Sequence, residues 1–205
     1  MAASDSSYPQ RGNVFSRAIG RGFLALFGWR LADPFPALPK AVIIGGPHTS
    51  NWDGIFTLAA MMQLGLDGHV MIKDSAFKGP MGPLLRWLGA IAVDRNKAGG
   101  VVEQTVAQFQ ARDRLMMVVA PEGTRGGAAQ WKTGFYRIAH QAGVPILLAT
   151  ADYRKKEIAF PLVLQPSGDL QADLDRIYHC FARVEPCHPQ RLSAPLKALR
   201  DSDKA

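Results

Sequence analysis

The chain has 205 residues, 47% hydrophobic and 20% charged, which fits one folded domain with a sizeable core and excludes wholesale disorder. A formal net charge of +7 and a pI near 9.7 favour an anionic partner: nucleic acid, an acidic bilayer or a phosphorylated small molecule. Basic runs interleaved with aromatics are missing, so nucleic acid ranks last and no nucleic-acid partner is expected.

Residues 1–11 are polar and Ser-containing and read as a mobile tail. Residues 12–36 differ. On a helix, Phe15, Ala18, Ile19, Phe23, Leu26 and Trp29 share one face, with Arg17 and Arg21 opposite. From Arg11 to Arg30 inclusive there are four arginines and no acid, the pattern of a helix lying in a headgroup boundary. A first helix packed on the domain core is the competing reading, and Gly20, Gly22 and Gly28 weaken either helix. Asp33-Pro34-Phe35-Pro36 ends the segment.

Residues 37–190 alternate short apolar runs with helical patterns. Strands are predicted at Ala41–Ile44, His69–Ile72, Ala90–Asp94, Leu115–Ala120, Pro145–Ala151 and Ala159–Leu164. Helices are predicted at Trp52–Leu64, Met81–Leu88, Val101–Arg112, Gly134–Ala142 and Asp169–Val184. The expected class is α/β: a single-domain mixed, largely parallel sheet flanked by helices, with an N-terminal amphipathic helical segment. The last two strands, joined by Arg154-Lys155-Lys156-Glu157, read as a hairpin. Residues 191–205 read as a C-terminal tail.

Cys180 and Cys187 cannot make a disulfide framework, which suits a reducing compartment. His179-Cys180 with Cys187-His188 matches no standard zinc spacing, and no metal site is expected. No apolar stretch approaches the ~20 residues of a membrane span, and the N-terminus lacks the pattern of a signal peptide. The expected location is cytoplasmic, peripherally attached to the cytoplasmic face of the membrane.

In sheets of this kind, binding residues gather beyond the carboxyl ends of strands. His48, Asp74, Arg95 and the loop Pro121–Arg125 all follow predicted strands. His48 precedes Asp53 by five positions, a spacing that points the two side chains apart on one continuous helix. His48 must therefore stand just before the helix that carries Asp53, with Ser50 or Asn51 as its N-cap. The carboxylate can then fix one imidazole nitrogen and leave the other as a base. In Pro121-Glu122-Gly123-Thr124-Arg125, the glycine permits close backbone approach, Arg125 offers a fork for a phosphate and Glu122 an acceptor for hydroxyl groups. Lys73 and Arg95 add two cations, and three cations after three strands read as an anion pocket.

Taken in order, these blocks resemble the glycerolipid acyltransferases, in particular the 1-acylglycerol-3-phosphate (lysophosphatidic acid) acyltransferases. His48 to Asp53 is similar to their His-x4-Asp motif. Lys73 through Gly82 and Gly89 to Arg95 resemble the second block. Pro121 to Arg125, followed by Lys132-Thr133-Gly134, resembles the third, and Val144-Pro145-Ile146 the fourth. The similarity spans Ala41 to Ala151. Ala120 stands where an aromatic is common, Gly126-Gly127 replaces a polar start, and nothing after Asp152 matches a motif.

The resemblance implies acyl transfer from acyl-CoA or acyl carrier protein to the hydroxyl of a lysophospholipid. His48 would be the general base and Asp53 its orienter. Lys73, Arg95, Glu122, Gly123, Thr124 and Arg125 would hold the acceptor's phosphate and glycerol. Neither a metal nor an organic cofactor is required. A membrane substrate favours membrane contact by Phe15, Ile19, Phe23, Phe27 and Trp29 on an anionic surface. Other acceptors, such as a different lysophospholipid or an acylated amino-acid lipid, and a non-catalytic lipid-binding module of the same fold stay open.

Overall fold

The computed structural model describes residues 8–80, 82–83, 89–93 and 100–202. The buried runs of the sequence become the middle of one mixed sheet, in the order β1-β7-β6-β2-β5-β3-β4. The strands are β1 (Arg30–Leu31), β2 (Lys40–Gly46), β3 (Gly68–Lys73), β4 (Ile91–Val93), β5 (Leu115–Val119), β6 (Ile146–Asp152), β7 (Glu157–Ala159) and β8 (Val163–Leu164). Strand β2 lies between β5 and β6 and is parallel to both, with Ile44 opposite Val119 and Leu148. The carboxyl ends of these three strands therefore open on one rim.

The single strand expected at Ala159–Leu164 is two short ones, β7 and β8, both antiparallel to β6. Pro161, which has no N–H to give a ladder, lies between them. The predicted helix Met81–Leu88 lies largely outside the described residues, as does Asp94 of the predicted strand Ala90–Asp94.

Alternation on the strands sorts two cores. Val42, Ile44, Leu115, Met117, Ile146 and Leu148 face the helices α3 (Gly100–Gln110), α4 (Gly134–Ala142), α5 (Leu170–Ala182) and α6 (Ala194–Ser202). Ala41, Ile43, Met116 and Leu147 point to the opposite face. There α1 (Val14–Leu26) and α2 (Asn51–Leu64) pack side by side. Gly20 permits the close crossing: a Cβ at that position would lie 2.5 Å from Ala59 O and 2.6 Å from Gln63 N.

The terminal segments are more tightly bound than composition suggests. Tyr8 packs edge-on against Phe35 and donates to Leu64 O, and Arg11 N donates to Gly65 O, so residues 8–11 are held on the domain. Trp29 and Phe35 are buried and β1 pairs with β7, so residues 29–36 belong to the domain rather than to a separate anchor. Residues 194–202 of the expected tail form α6, whose Leu196 is fully buried in the main core.

Candidate active site

Strand β2 ends at Gly46, and two residues later His48 sits on the rim. Helix α2 starts at Asn51 with Ser50 as its N-cap: Ser50 Oγ accepts from Trp52 N, and Asp53 Oδ2 accepts from Ser50 N at 2.8 Å. A carboxylate in the first turn also suits the helix dipole. The same oxygen accepts from Thr49 N at 2.7 Å and lies 3.2 Å from His48 Nδ1. The helix thus begins between the two residues, as their spacing requires. Nδ1 faces the carboxylate, and Nε2 is the ring nitrogen that the carboxylate does not engage.

Tyr153, just past the end of β6, was absent from the sequence-based candidates. Its hydroxyl donates to Asp53 Oδ1 at 2.6 Å. Burial raises the Asp53 pKa, but the hydrogen bonds from His48, Tyr153, Ser50 N and Thr49 N outweigh it and hold the carboxyl below its ordinary value. Burial, reinforced by the Asp53 bond and charge, pushes the Tyr153 phenol far above its usual range, so it stays a donor. Trp29 stacks on Phe56 at 4.3 Å and meets Tyr153 edge-on at 4.9 Å. This corrects the expectation that Trp29 contacts a membrane: it is 6% exposed and braces the tyrosine that holds Asp53.

Strand β5 delivers the Pro121–Arg125 loop. Gly123 adopts φ +65, a left-handed conformation that favours glycine. Glu122 was expected in the acceptor site, but it is 2% exposed and lies beneath the histidine, with Oε1 accepting from His48 N at 3.1 Å. Its Oε2 is buried without a hydrogen-bond partner. Burial pushes its pKa up to about 7, opposed by the His48 N–H and charge and supported by the Asp53 charge. Arg125 Nη1 donates to Asn51 Oδ1 across the rim. Lys73 is the last residue of β3, and Arg95 lies outside the described residues.

Two cavities meet at this histidine. One, of about 380 Å³, runs between the sheet and α2 and is lined by Ile43, Gly45, Val118, Ala149, Met61 and Leu64, among other largely apolar residues. Small side chains on β2 and β6 make this space; a Cβ at Gly45 would meet nothing within 4 Å. The second is polar and is lined by His48, Ala120, Gly123, Thr124, Arg125, Gly126 and Arg191. Among the described residues, His48 and Ala120 border both. No group of three or more His, Cys, Asp or Glu side chains suited to a metal ion occurs among the described residues.

The family model described as Acyltransferase matches residues 30–149, more than half of the chain. The chain belongs to the acyltransferase family. The resemblance read from the ordered motifs is therefore borne out, and the matched region contains β2, the catalytic-looking pair and the β5 loop. Among solved structures, this acyltransferase is similar to the 1-acyl-sn-glycerophosphate (LPA) acyltransferase PlsC from Thermotoga maritima. That match has a TM-score of 0.57 and 13% sequence identity, and covers 82% of this chain and 76% of that one. At that identity the likeness concerns the fold, and it agrees with the mixed, largely parallel sheet expected from the sequence. No curated protein matches the chain significantly. Tyr153 and Arg191 both lie beyond the residues that the family model matches, which is why motif reading passed over them.

Proposed function

We propose that this acyltransferase moves a fatty acyl chain from a thioester donor, acyl-CoA or acyl carrier protein, to the hydroxyl of a lysophospholipid, with 1-acylglycerol-3-phosphate as the preferred acceptor. The observation that carries this reading is the position of His48 between an apolar cavity and an arginine-lined polar one. The acyl chain occupies the first and the acceptor head group the second. His48 Nε2 takes the acceptor's hydroxyl proton as the oxygen attacks the thioester carbonyl. The tetrahedral intermediate then expels the thiolate, which leaves with that proton. Asp53, kept ionised, stabilises the imidazolium in between. The acceptor supplies its own nucleophile, so no acyl-enzyme is formed.

The test is acyl transfer to a panel of lysolipids with both donor types, comparing the parent with His48→Ala. Loss of general-base catalysis costs about 10²–10⁴-fold in rate. A variant as active as the parent on the best pair removes His48 from this role.

Cavity filling tests the acyl site separately. Gly45→Val places its side chain in open space, so the fold is expected to keep its melting temperature while transfer of long acyl chains falls at least about tenfold relative to short ones. An unchanged chain-length profile counts against the assignment.

We also infer that the enzyme works on a membrane surface. No described helix is long and apolar enough to cross a bilayer. Val14, Phe15, Ile19, Leu26 and Phe27 are exposed at α1, and Trp52, Ile55 and Leu58 are exposed on α2. Phe27 and Trp52 join the two sets, with ring centroids 5.5 Å apart. Phe23 is half-buried against Phe56, and the Lys156 ammonium at the neighbouring turn donates to Phe27 O. Apolar groups beside basic ones fit an anionic bilayer. Replacing Phe15 and Leu26 with Ser is expected to weaken co-sedimentation with anionic vesicles about tenfold or more while leaving the fold intact. Undiminished sedimentation defeats this reading.

A further inference from the structure

We propose that Arg191 is the second arm of a two-arginine clamp which, with Arg125, grips the phosphomonoester of the acceptor head group. The identity of that acceptor rests on the reading above; the clamp itself rests on the following geometry.

A single surface arginine is ordinarily a solvated charge. Arg191 differs because the chain on either side of it is fixed to the two loops that build the site. Upstream, His188 N donates to Thr49 Oγ1 at 3.2 Å, one residue after the catalytic histidine. Downstream, the buried Ser193 accepts from Trp131 Nε1 at 2.9 Å, and Ala194 N donates to Ala128 O at 2.8 Å. Between these anchors, Pro189–Arg191 forms a 3₁₀ turn lying against Gly127, where a Cβ would come within 3.4 Å of Arg191 O. The backbone that carries Arg191 is thus set by the same loops that place His48 and Arg125.

Arg191 Nη1 donates to Thr49 O at 3.3 Å, which employs one of the five guanidinium donors. The polar cavity that Arg191 shares with Arg125 contains His48 and, among its described lining residues, no carboxylate. Two planar forks across one cavity suit a doubly charged group with three terminal oxygens. A phosphodiester, with one charge and two free oxygens, occupies only part of such a clamp. Arg191 would therefore set the preference for a phosphomonoester acceptor.

The experiment measures binding and turnover in parallel. Calorimetric titration of the full-length protein with inorganic phosphate and with glycerol 3-phosphate is compared for the parent, Arg191→Gln and Arg191→Lys. Loss of a charge-assisted contact is expected to weaken glycerol 3-phosphate binding about 10- to 100-fold in Arg191→Gln, and less in Arg191→Lys, which keeps the charge but loses the fork. Inorganic phosphate binding as tightly as glycerol 3-phosphate would identify a free-anion site and overturn the head-group assignment.

In turnover, Arg191→Gln is expected to raise KM for lysophosphatidic acid about tenfold, with kcat, the donor KM and the KM for a lysophosphodiester acceptor little changed. A rise shared equally by both acceptors indicates a structural role and overturns the clamp. So does an unchanged affinity for glycerol 3-phosphate while acyl transfer proceeds. Conversely, Arg191-dependent binding without transfer to any lysolipid keeps the clamp and removes the proposed reaction.

Discussion

Asp53→Asn is expected to lower kcat by about 10³–10⁴-fold while leaving a folded protein. The carboxylate does two things that an amide cannot do together. Its Oδ2 accepts from Thr49 N and Ser50 N and holds His48 Nδ1, while Oδ1 accepts from Tyr153. An amide oxygen on the Oδ2 side preserves the turn, because the Tyr153 hydroxyl can rotate to accept from the amide nitrogen. In the proposed mechanism, the negative charge that stabilises the imidazolium is lost in either orientation. Tyr153→Phe removes one bond to the carboxylate and keeps the charge, so a smaller decrease is expected. Combining either change with His48→Ala should add little, since a base that is gone cannot be mispositioned. A linkage effect accompanies the rate effect. The Asp53 pKa is depressed in the folded state, so its stabilisation is present above the ordinary value of 3.8 and is lost as the pH falls below it. The stability gap between parent and Asp53→Asn should therefore be full at pH 6 and close in acid. Additive rate losses in the double variant would refute the shared role.

Much of the fold was legible because the central strands are buried on both faces and read as uninterrupted apolar runs bounded by turn residues. The histidine and aspartate were legible because five residues bring them together only when a helix begins between them, a condition local to the chain. The parts that escaped depend on topology. Tyr153 reaches Asp53 across 100 residues, and its one sequence signal was its place just beyond a strand end on the same rim. Trp29 fell on the apolar stripe of an extended helix, but α1 stops at Leu26 and Gly28 turns the chain at φ +72, which carries the indole inward. Periodicity cannot separate a face that meets lipid from one that meets the core when the helix end is misplaced. The C-terminal helix did leave a trace: Leu192, Leu196 and Leu199 recur at helical spacing around Pro195, and the first two are buried. Glu122 was found as a motif residue, yet its burial beneath His48 depends on where β5 ends relative to β2.

That burial moves the titration of Glu122 toward neutrality. Its pKa rises from 4.5 to about 7, chiefly because burial penalises the charged form. For a group whose folded pKa is raised, the associated stability is complete below 4.5 and is lost as the pH climbs through about 7, a swing of up to about 3 kcal/mol. Glu122→Gln retains an oxygen for the His48 N–H and carries no proton to lose. Denaturant unfolding of the parent should therefore weaken between pH 5 and pH 8 relative to Glu122→Gln, and the difference between the two should level off above pH 8. Parallel profiles across that range would refute the assignment. Glu122→Ala removes the acceptor as well, leaving the His48 N–H unpaired and costing about 1–3 kcal/mol at every pH. The two variants separate the functions of one side chain: the oxygen supports the backbone of His48, and the proton sets how much charge lies beneath it. Above neutral pH an ionised Glu122 adds a second negative charge near Asp53.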